Sequence, residues 1–197
     1  MNIIYKDDQI TINGDSLILG ADYNLKSQIK NNFAMVDRSF SYATKTLYES
    51  FQNYDLDKSK VTDRNISDLK LEEYYYWAII LKLKVSKDVL VIDEIMSYLR
   101  KDYKDEIINI ARDRGIKLII FSNELDDIYD DFEIVVYYKN KVAMKGSYKS
   151  IVKEDAILKR LGYEVPFYPD ISNQLRLFGL ISNVCYSKKE LEEALWK

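Results

Sequence analysis

The spacing of apolar residues changes along the chain, and each spacing predicts a different element. Residues 89–93 (VLVID) and 117–122 (KLIIFS) are continuous apolar runs, and a helical pattern over about 102–113 separates them. Such runs are typical of parallel strands that are buried on both faces of a sheet. Helical apolar spacing over about 71–84 predicts a further helix before the first run. The middle of the chain is therefore predicted to be α/β.

The N-terminal part of the chain predicts short strands. Residues 1–20 contain brief apolar runs, with an Asn-Gly pair at 13–14 that is a strong signal for a hairpin turn. The last run, SLILG at 16–20, is followed by a polar loop and by a helix that we expect to begin at Leu25. FAMVD at 33–37 predicts another strand.

The C-terminal part of the chain predicts a hairpin followed by helices. FEIVVYY and KVAMKG are two strand-like runs with an Asn-containing turn between them. A helical pattern then ends at Gly162, and Pro166 and Pro169 indicate a linker. The predicted strands and helices of this part lie at 132–138, 141–146, 147–161, 171–178 and 187–195.

Composition narrows the class of protein. The 197 residues are 47% apolar with a net charge of −3, which suits a packed core and provides no basic stripe for nucleic acid. Histidine is absent, which excludes a Ser-His-Asp triad and imidazole-ligated metal. The single cysteine, Cys185, favours a reducing, cytosolic setting, and no apolar run reaches the roughly 18 residues of a membrane span.

The run VLVIDE at 89–94 carries the first candidate chemistry. Its buried strand would deliver two carboxylates to the carboxyl edge of a parallel sheet, where ligands bind in such folds. Asp93 could then hold Mg²⁺, and Glu94 could polarise an attacking water as a general base. On this motif alone, a solvated strand end remains the alternative.

The segment GADYNLKS at 20–27 partly matches a phosphate-binding loop. Gly20, Lys26 and Ser27 have the spacing of a P-loop between a strand and a helix. Leu25 replaces the second glycine, and its side chain is expected to crowd the backbone N–H groups that would surround phosphate. Ser27 could reach Mg²⁺. The candidate nucleotide-contacting residues are Gly20, Tyr23, Asn24, Leu25, Lys26 and Ser27.

In their order and spacing these motifs resemble those of the ABC ATPases, over almost the whole chain. The family has a Leu-Ser-Gly-Gly-Gln signature before the strand that ends in the two carboxylates. Residues 69–73 (LKLEE) stand in its place, with Leu69 at the leucine position. The resemblance implies that this helix is kept, while Glu72 and Glu73 would repel the γ-phosphate that the signature normally contacts.

Other family positions are also altered. The loop after the carboxylates keeps Ser97 and Leu99, but Arg100 replaces the usual aspartate. Asn123 stands at the switch-histidine position, where it can donate a hydrogen bond but cannot carry a charge. Asp37 is placed at the glutamine of the Q-loop.

The C-terminal third resembles the tail of energy-coupling-factor transporter ATPases. LGYEVP at 161–166, the Arg-x-x-Gly at 176–179 and the final KKELEEALWK carry this similarity. In that subfamily the tail helps two subunits to associate. Alternatively, its apolar residues cover the domain's own core. The implied organisation is an ABC-ATPase-like core at 1–163 and a helical appendage at 164–197.

The resemblance implies a P-loop NTPase-like fold: a mostly parallel sheet flanked by helices, with short N-terminal β-elements and a reduced helical subdomain. Residues 28–68 are much shorter than the matching region of the family.

The function expected from this resemblance is that of a pseudo-ATPase, or of a subunit that binds ATP and Mg²⁺ weakly or not at all. It would form a homodimer, or a heterodimer with another ABC-type ATPase, in the cytoplasm or at the inner face of the membrane with a transporter subunit. The alternatives are an active ABC ATPase that drives transport, and a nucleotide-free dimerising protein.

Overall fold

A computed structural model describes residues 2–5, 8–12, 14–52, 64–126 and 129–196. The chain divides into two compact units, one formed by Ala21–Ser122 and the other by Met1–Gly20 with Asn123–Lys197. Among the helices of the described ranges, none is long and apolar enough to cross a membrane.

Short strands come first, strands then alternate with helices through the middle of the chain, and helices follow a hairpin at the end, as the sequence predicts. The strands are β1 (Asn2–Tyr5), β2 (Asp8–Thr11), β3 (Ser16–Leu19), β4 (Ala34–Val36), β5 (Val89–Asp93), β6 (Lys117–Ser122), β7 (Glu133–Tyr138) and β8 (Lys141–Ser147). The helices are α1 (Tyr23–Lys30), α2 (Leu47–Phe51), α3 (Leu71–Val85), α4 (Lys101–Asp113), α5 (Tyr148–Lys153), α6 (Asp155–Arg160), α7 (Phe167–Leu177) and α8 (Lys188–Leu195). Strands β4, β5 and β6 belong to the unit Ala21–Ser122, and β3, β7 and β8 belong to the other unit.

Three parallel strands form the centre of the unit Ala21–Ser122. Strand β5 pairs in parallel with β4 on one side and with β6 on the other. Val91 lies opposite Met35 of β4 and Ile119 of β6, and both Val91 and Ile119 are fully buried. The prediction of parallel, two-face-buried strands at 89–93 and 117–122 is confirmed. Burial on both faces explains why these runs lack the alternation of a half-exposed strand.

The helices of this unit follow the predicted apolar spacing. Helix α4 buries Ile107, Ile108 and Ala111 along one face, as an amphipathic helix does. Helix α2 begins at Leu47 because Thr46 caps it. The Thr46 hydroxyl accepts a hydrogen bond from the backbone N–H of Glu49 at 3.2 Å, and the Glu49 carboxylate accepts one from the Thr46 N–H.

The other unit combines a parallel and an antiparallel strand pair. Strand β3 pairs in parallel with β7, and β7 forms the predicted antiparallel hairpin with β8. Lys139 and Asn140 both have positive φ, 48° and 67°, which suits a tight hairpin turn. The hairpin expected at 13–14 would pair β2 with β3, and this prediction is wrong, because β2 pairs with β1 in a separate two-stranded sheet. Asn13 itself lies outside the described residues.

The C-terminal helices differ in detail from their predicted bounds. The pattern at 147–161 gives two helices, α5 and α6, because the chain leaves helical geometry at Glu154. Gly162, with φ of +89°, ends this segment as predicted. The expected linker at Pro166 and Pro169 is wrong: α7 begins at Phe167 with Pro166 as its N-cap and Pro169 in its first turn. Proline is tolerated there because first-turn N–H groups have no partner within the helix.

Candidate functional site

Lys26 lies between two carboxylates at the end of strand β5. Its ammonium nitrogen is 2.6 Å from Asp93 Oδ1 and 2.6 Å from Glu94 Oε1. The Phe121 ring lies below the same ammonium group, with its centroid 5.6 Å from Nζ. The structure thus brings together three residues that the sequence singles out, and it joins them directly to one another. Ser27 follows Lys26 within α1.

Burial and charge set the ionisation of this cluster. Burial acts to lower the pKa of Lys26, but the hydrogen bonds and charges of Asp93 and Glu94 outweigh it and raise that pKa above its ordinary value. Burial raises the pKa of Asp93, against the opposing effect of Lys26. The hydrogen bond from Lys26 lowers the pKa of Glu94, with the charges of Lys26 and Arg38 acting in the same direction. A carboxylate stabilised in this way is a weak general base.

Glu94 is fixed in an unusual backbone conformation. Its φ is +59°, a region that non-glycine residues seldom occupy. The backbone N–H of Glu94 donates to the Phe121 carbonyl at 2.9 Å, which holds this conformation at the end of β5. Its second carboxylate oxygen lies 3.5 Å from the Arg38 guanidinium. Sequence reasoning missed Arg38; its only signal was a basic residue directly after the predicted strand 33–37.

The cluster as arranged fits a lysine–carboxylate ion pair better than it fits Mg²⁺. Asp93 Oδ1 is buried and lies 2.6 Å from the Lys26 ammonium nitrogen. The ammonium already provides the positive charge that a cation would bring to these oxygens. Within the described ranges, no group of three or more histidine, cysteine or carboxylate side chains is placed to hold a metal ion.

The segment expected to form a phosphate loop is the start of a helix. Helix α1 begins at Tyr23, two residues earlier than predicted, because Asp22 is a good N-cap residue. The Asp22 carboxylate accepts from the Leu25 N–H at 2.8 Å, and the Asp22 carbonyl accepts from the Lys26 N–H at 3.1 Å. Backbone N–H groups that would surround a phosphate are therefore bonded to Asp22.

Side-chain burial along α1 also departs from the expected loop. The Leu25 side chain is fully buried and belongs to the core. The expectation that it crowds a phosphate loop is therefore wrong. Tyr23, two residues earlier, is 83% exposed, and Asn24 is exposed as well. An obstacle to phosphate at this helix therefore comes from the Asp22 carboxylate.

Gly20 has a structural reason of its own to be glycine. It has φ of +70°, and a Cβ added to it would overlap the Tyr163 hydroxyl and lie 2.6 Å from the Tyr137 carbonyl oxygen. The Tyr163 hydroxyl donates to that same carbonyl at 3.3 Å. Tyr163 comes from the LGY segment after α6. Close packing against the tail explains this glycine without any phosphate.

The helix at the signature position also has a carboxylate in its first turn. At the start of α3, the Glu73 carboxylate accepts from the Lys70 N–H at 3.0 Å and pairs with Arg64 at 2.9 Å. Glu72 lies 3.9 Å from Arg100. The hydrogen bond from Arg64 lowers the pKa of Glu73, so the carboxylate at this helix N-terminus is held in its charged form.

Three further residues that the sequence singles out are Asp37, Ser97 and Asn123. Asp37 pairs with Lys30 at 3.0 Å and accepts from the Ser39 N–H at 2.9 Å. The Ser97 hydroxyl donates to the Glu94 carbonyl at 3.4 Å. Asn123 is exposed directly after β6, and it lines a cavity of about 830 Å³ in the unit that contains the C-terminal helices.

Sequence similarity points to transporter ATP-binding proteins. The energy-coupling factor transporter ATP-binding protein EcfA1 of Caldanaerobacter subterraneus subsp. tengcongensis is 26% identical over 102 residues, which are 50% of this chain and 37% of that protein. EcfA1 of Mesomycoplasma hyopneumoniae is 27% identical over 124 residues, 61% of this chain and 44% of that protein. The chain thus matches less than half the length of either relative. No family model matches it.

Solved structures share the fold. CbiO1 from Clostridium perfringens, described as part of the ABC transporter complex cbiONQ, has a TM-score of 0.57 at 18% identity, covering 81% of this chain and 90% of that one. An ATP-binding subunit of an ABC transporter has a TM-score of 0.57 at 13% identity, covering 98% of this chain and 93% of that one. In sequence and in fold the chain is thus similar to ATP-binding proteins of ABC transporters, with EcfA1 proteins among its sequence relatives.

Proposed function

We propose that the chain is an ABC-type subunit that has lost efficient ATP hydrolysis, a pseudo-ATPase that binds nucleotide weakly or not at all. It works within an energy-coupling-factor-like transport assembly, where it contributes a folded partner surface and only slow turnover. ATP and Mg²⁺ are the ligands that its relatives imply.

The observation that carries this proposal is the position of Lys26. Its ammonium group is in contact with Asp93 and Glu94, at 2.6 Å from each. To bind a β- or γ-phosphate, Lys26 would have to leave both carboxylates, and the buried Asp93 oxygen would lose the cation that now contacts it. Breaking a buried pair by removing one partner is costly, so the phosphate must first offset that cost.

The two helix N-termini support the same proposal. Asp22 caps α1, and Glu73 in the first turn of α3 accepts from the Lys70 N–H, so a carboxylate of this chain lies at each of these two helix N-termini. A phosphate at either position would meet a negative charge and would have to replace hydrogen bonds that are already formed. Loss of a single donor to a transition state costs on the order of 3 kcal/mol, and several are replaced here.

The proposed assembly follows from the relatives and from the tail. Both EcfA1 proteins are described as transporter ATP-binding proteins. In the C-terminal segment, Leu177 is 86% exposed, Phe178 80% and Trp196 87%. Large apolar side chains that are exposed in this way are available to a partner surface. We therefore propose a homodimer, or a heterodimer with another ABC-type ATPase, that is cytoplasmic or held at the inner face of the membrane by a transporter subunit.

A nucleotide-free dimerising protein is the second candidate. It is favoured by the same exposed apolar residues together with the self-capped helices, because neither feature depends on nucleotide. An active ATPase, the remaining alternative, would require Lys26 and the α1 N-terminus to rearrange on binding.

Calorimetric titration with ATP, with and without Mg²⁺, tests the proposal. We expect a dissociation constant of about 1 mM or weaker, equivalent to about 4 kcal/mol of binding, with little effect of Mg²⁺. A Lys26→Ala variant serves as control and should bind no more than about tenfold differently. Micromolar binding that requires Mg²⁺ and disappears in Lys26→Ala would contradict the proposal.

A further inference from the structure

Two cations from different elements hold the Glu94 side chain. Lys26 of α1 contacts Oε1 at 2.6 Å, and Arg38, two residues after β4, lies 3.5 Å from Oε2. The Lys26 side chain is 17% exposed and the Arg38 side chain 59%, so one cation is largely enclosed and the other is open to solvent. Each carboxylate oxygen of Glu94 therefore faces its own positive charge.

Arg38 is positioned by its neighbours as well as by Glu94. Its guanidinium carbon lies 5.4 Å from the centroid of the Tyr98 ring, within the range of a cation–π contact. The preceding residue, Asp37, accepts hydrogen bonds from the N–H and the hydroxyl of Ser39, which fixes the turn that carries Arg38. The guanidinium would thus remain near this point if the Glu94 carboxylate were removed.

The charges of this cluster balance only when Glu94 is included. Lys26 and Arg38 provide two positive charges, and Asp93 and Glu94 provide two negative ones. Without Glu94, Lys26 would keep only Asp93, and Arg38 would lose the carboxylate that it faces. One positive charge would then be left, in a partly enclosed place between a helix and a strand end, which is a favourable environment for a small oxyanion.

We propose that Lys26 and Arg38 form an anion site that Glu94 fills from within the chain, and that Arg38 keeps Glu94 in that position. The inference rests on the proposed function, in which Glu94 is not a catalytic base. The chemical class that would replace the carboxylate is a phosphate-type oxyanion, which pairs with both an ammonium and a guanidinium. Glu94 thereby regulates access to the site.

Titration with inorganic pyrophosphate, without nucleotide or Mg²⁺ and at fixed ionic strength, tests this site. We expect Glu94→Gln, which removes the charge and keeps the shape, to bind pyrophosphate at least about tenfold more tightly than the original chain. Adding Arg38→Ala to Glu94→Gln should abolish that gain. Adding Lys30→Ala instead is the matched control, because Lys30 is an α1 lysine that pairs with Asp37; it should leave the gain intact.

Two results would overturn the proposal. One is that Glu94→Gln binds pyrophosphate no more tightly than the original chain. If circular dichroism shows that Glu94→Gln is poorly folded, Glu94→Ala replaces it and unchanged affinity of that variant has the same meaning. The other is a gain that survives Arg38→Ala or that is lost equally with Lys30→Ala, because general charge would then explain the binding. Pyrophosphate binding does not depend on turnover. Failure of the proposed function would instead be seen in ATP binding and ATP hydrolysis by the original chain, so the two failures are distinguishable.

Discussion

Replacing Leu25 with alanine is expected to lower the free energy of unfolding by about 3 kcal/mol. The Leu25 side chain is fully buried, so truncation leaves a cavity in the core of the unit Ala21–Ser122. Denaturant unfolding measures the loss. Asn24→Ala is the matched control, because Asn24 is an exposed neighbour on the same helix and its replacement should change stability by less than about 0.5 kcal/mol.

The same position also separates two explanations of the altered phosphate loop. If Leu25 only obstructed a glycine position, Leu25→Gly would raise the affinity for ATP. Because the leucine side chain is in the core and Asp22 holds its N–H, we expect Leu25→Gly to lose stability without gaining affinity. A stable variant with clearly tighter ATP binding would contradict this account.

Replacing Gly20 with alanine is expected to cost about 2–4 kcal/mol of stability in the complete absence of nucleotide. The backbone at Gly20 has φ of +70°, which disfavours alanine, and the new Cβ would lie 2.6 Å from the Tyr137 carbonyl oxygen and overlap the Tyr163 hydroxyl. Thermal and denaturant unfolding both report this loss. Combining Gly20→Ala with Tyr163→Phe should recover part of it, because the overlapping hydroxyl is removed and the carbonyl remains.

Gly14→Ala is the matched control for Gly20→Ala. Nothing lies within 4 Å of a Cβ added at Gly14, and its φ is outside the left-handed region, so this change should be neutral or slightly stabilising. If Gly20→Ala were as stable as Gly14→Ala and changed only nucleotide binding, Gly20 would be kept for phosphate and not for the tail.

The elements of the buried sheet could be predicted from the sequence because local pattern and tertiary environment agree. Strands β5 and β6 are continuous apolar runs, and the structure buries them on both faces as such runs require. The carboxylates of Asp93 and Glu94 then necessarily stand at the end of a strand. Their association with Lys26 could also be expected from the order of the motifs.

The contacts by which the chain's own side chains fill the candidate phosphate site could not be predicted in the same way. Asp22 could have been recognised as an N-cap, since aspartate before a helix is a known start signal, but the resemblance to a phosphate loop favoured a later start. The contacts of Arg38 with Glu94 and of Tyr163 with Gly20 join residues far apart in sequence. Neither contact leaves a local pattern, so only a three-dimensional structure could reveal them.

The rate of phosphate release from ATP tests the central claim most directly. The original chain, Glu94→Gln and Lys26→Ala are compared under identical conditions with Mg²⁺. Because Glu94 is engaged by Lys26 and Arg38 and the α1 N-terminus is capped by Asp22, we predict three slow rates within about twofold of one another. A rate for the original chain that exceeds that of Glu94→Gln by about a hundredfold would show that Glu94 is a working base, and it would contradict the claim that this chain is a pseudo-ATPase.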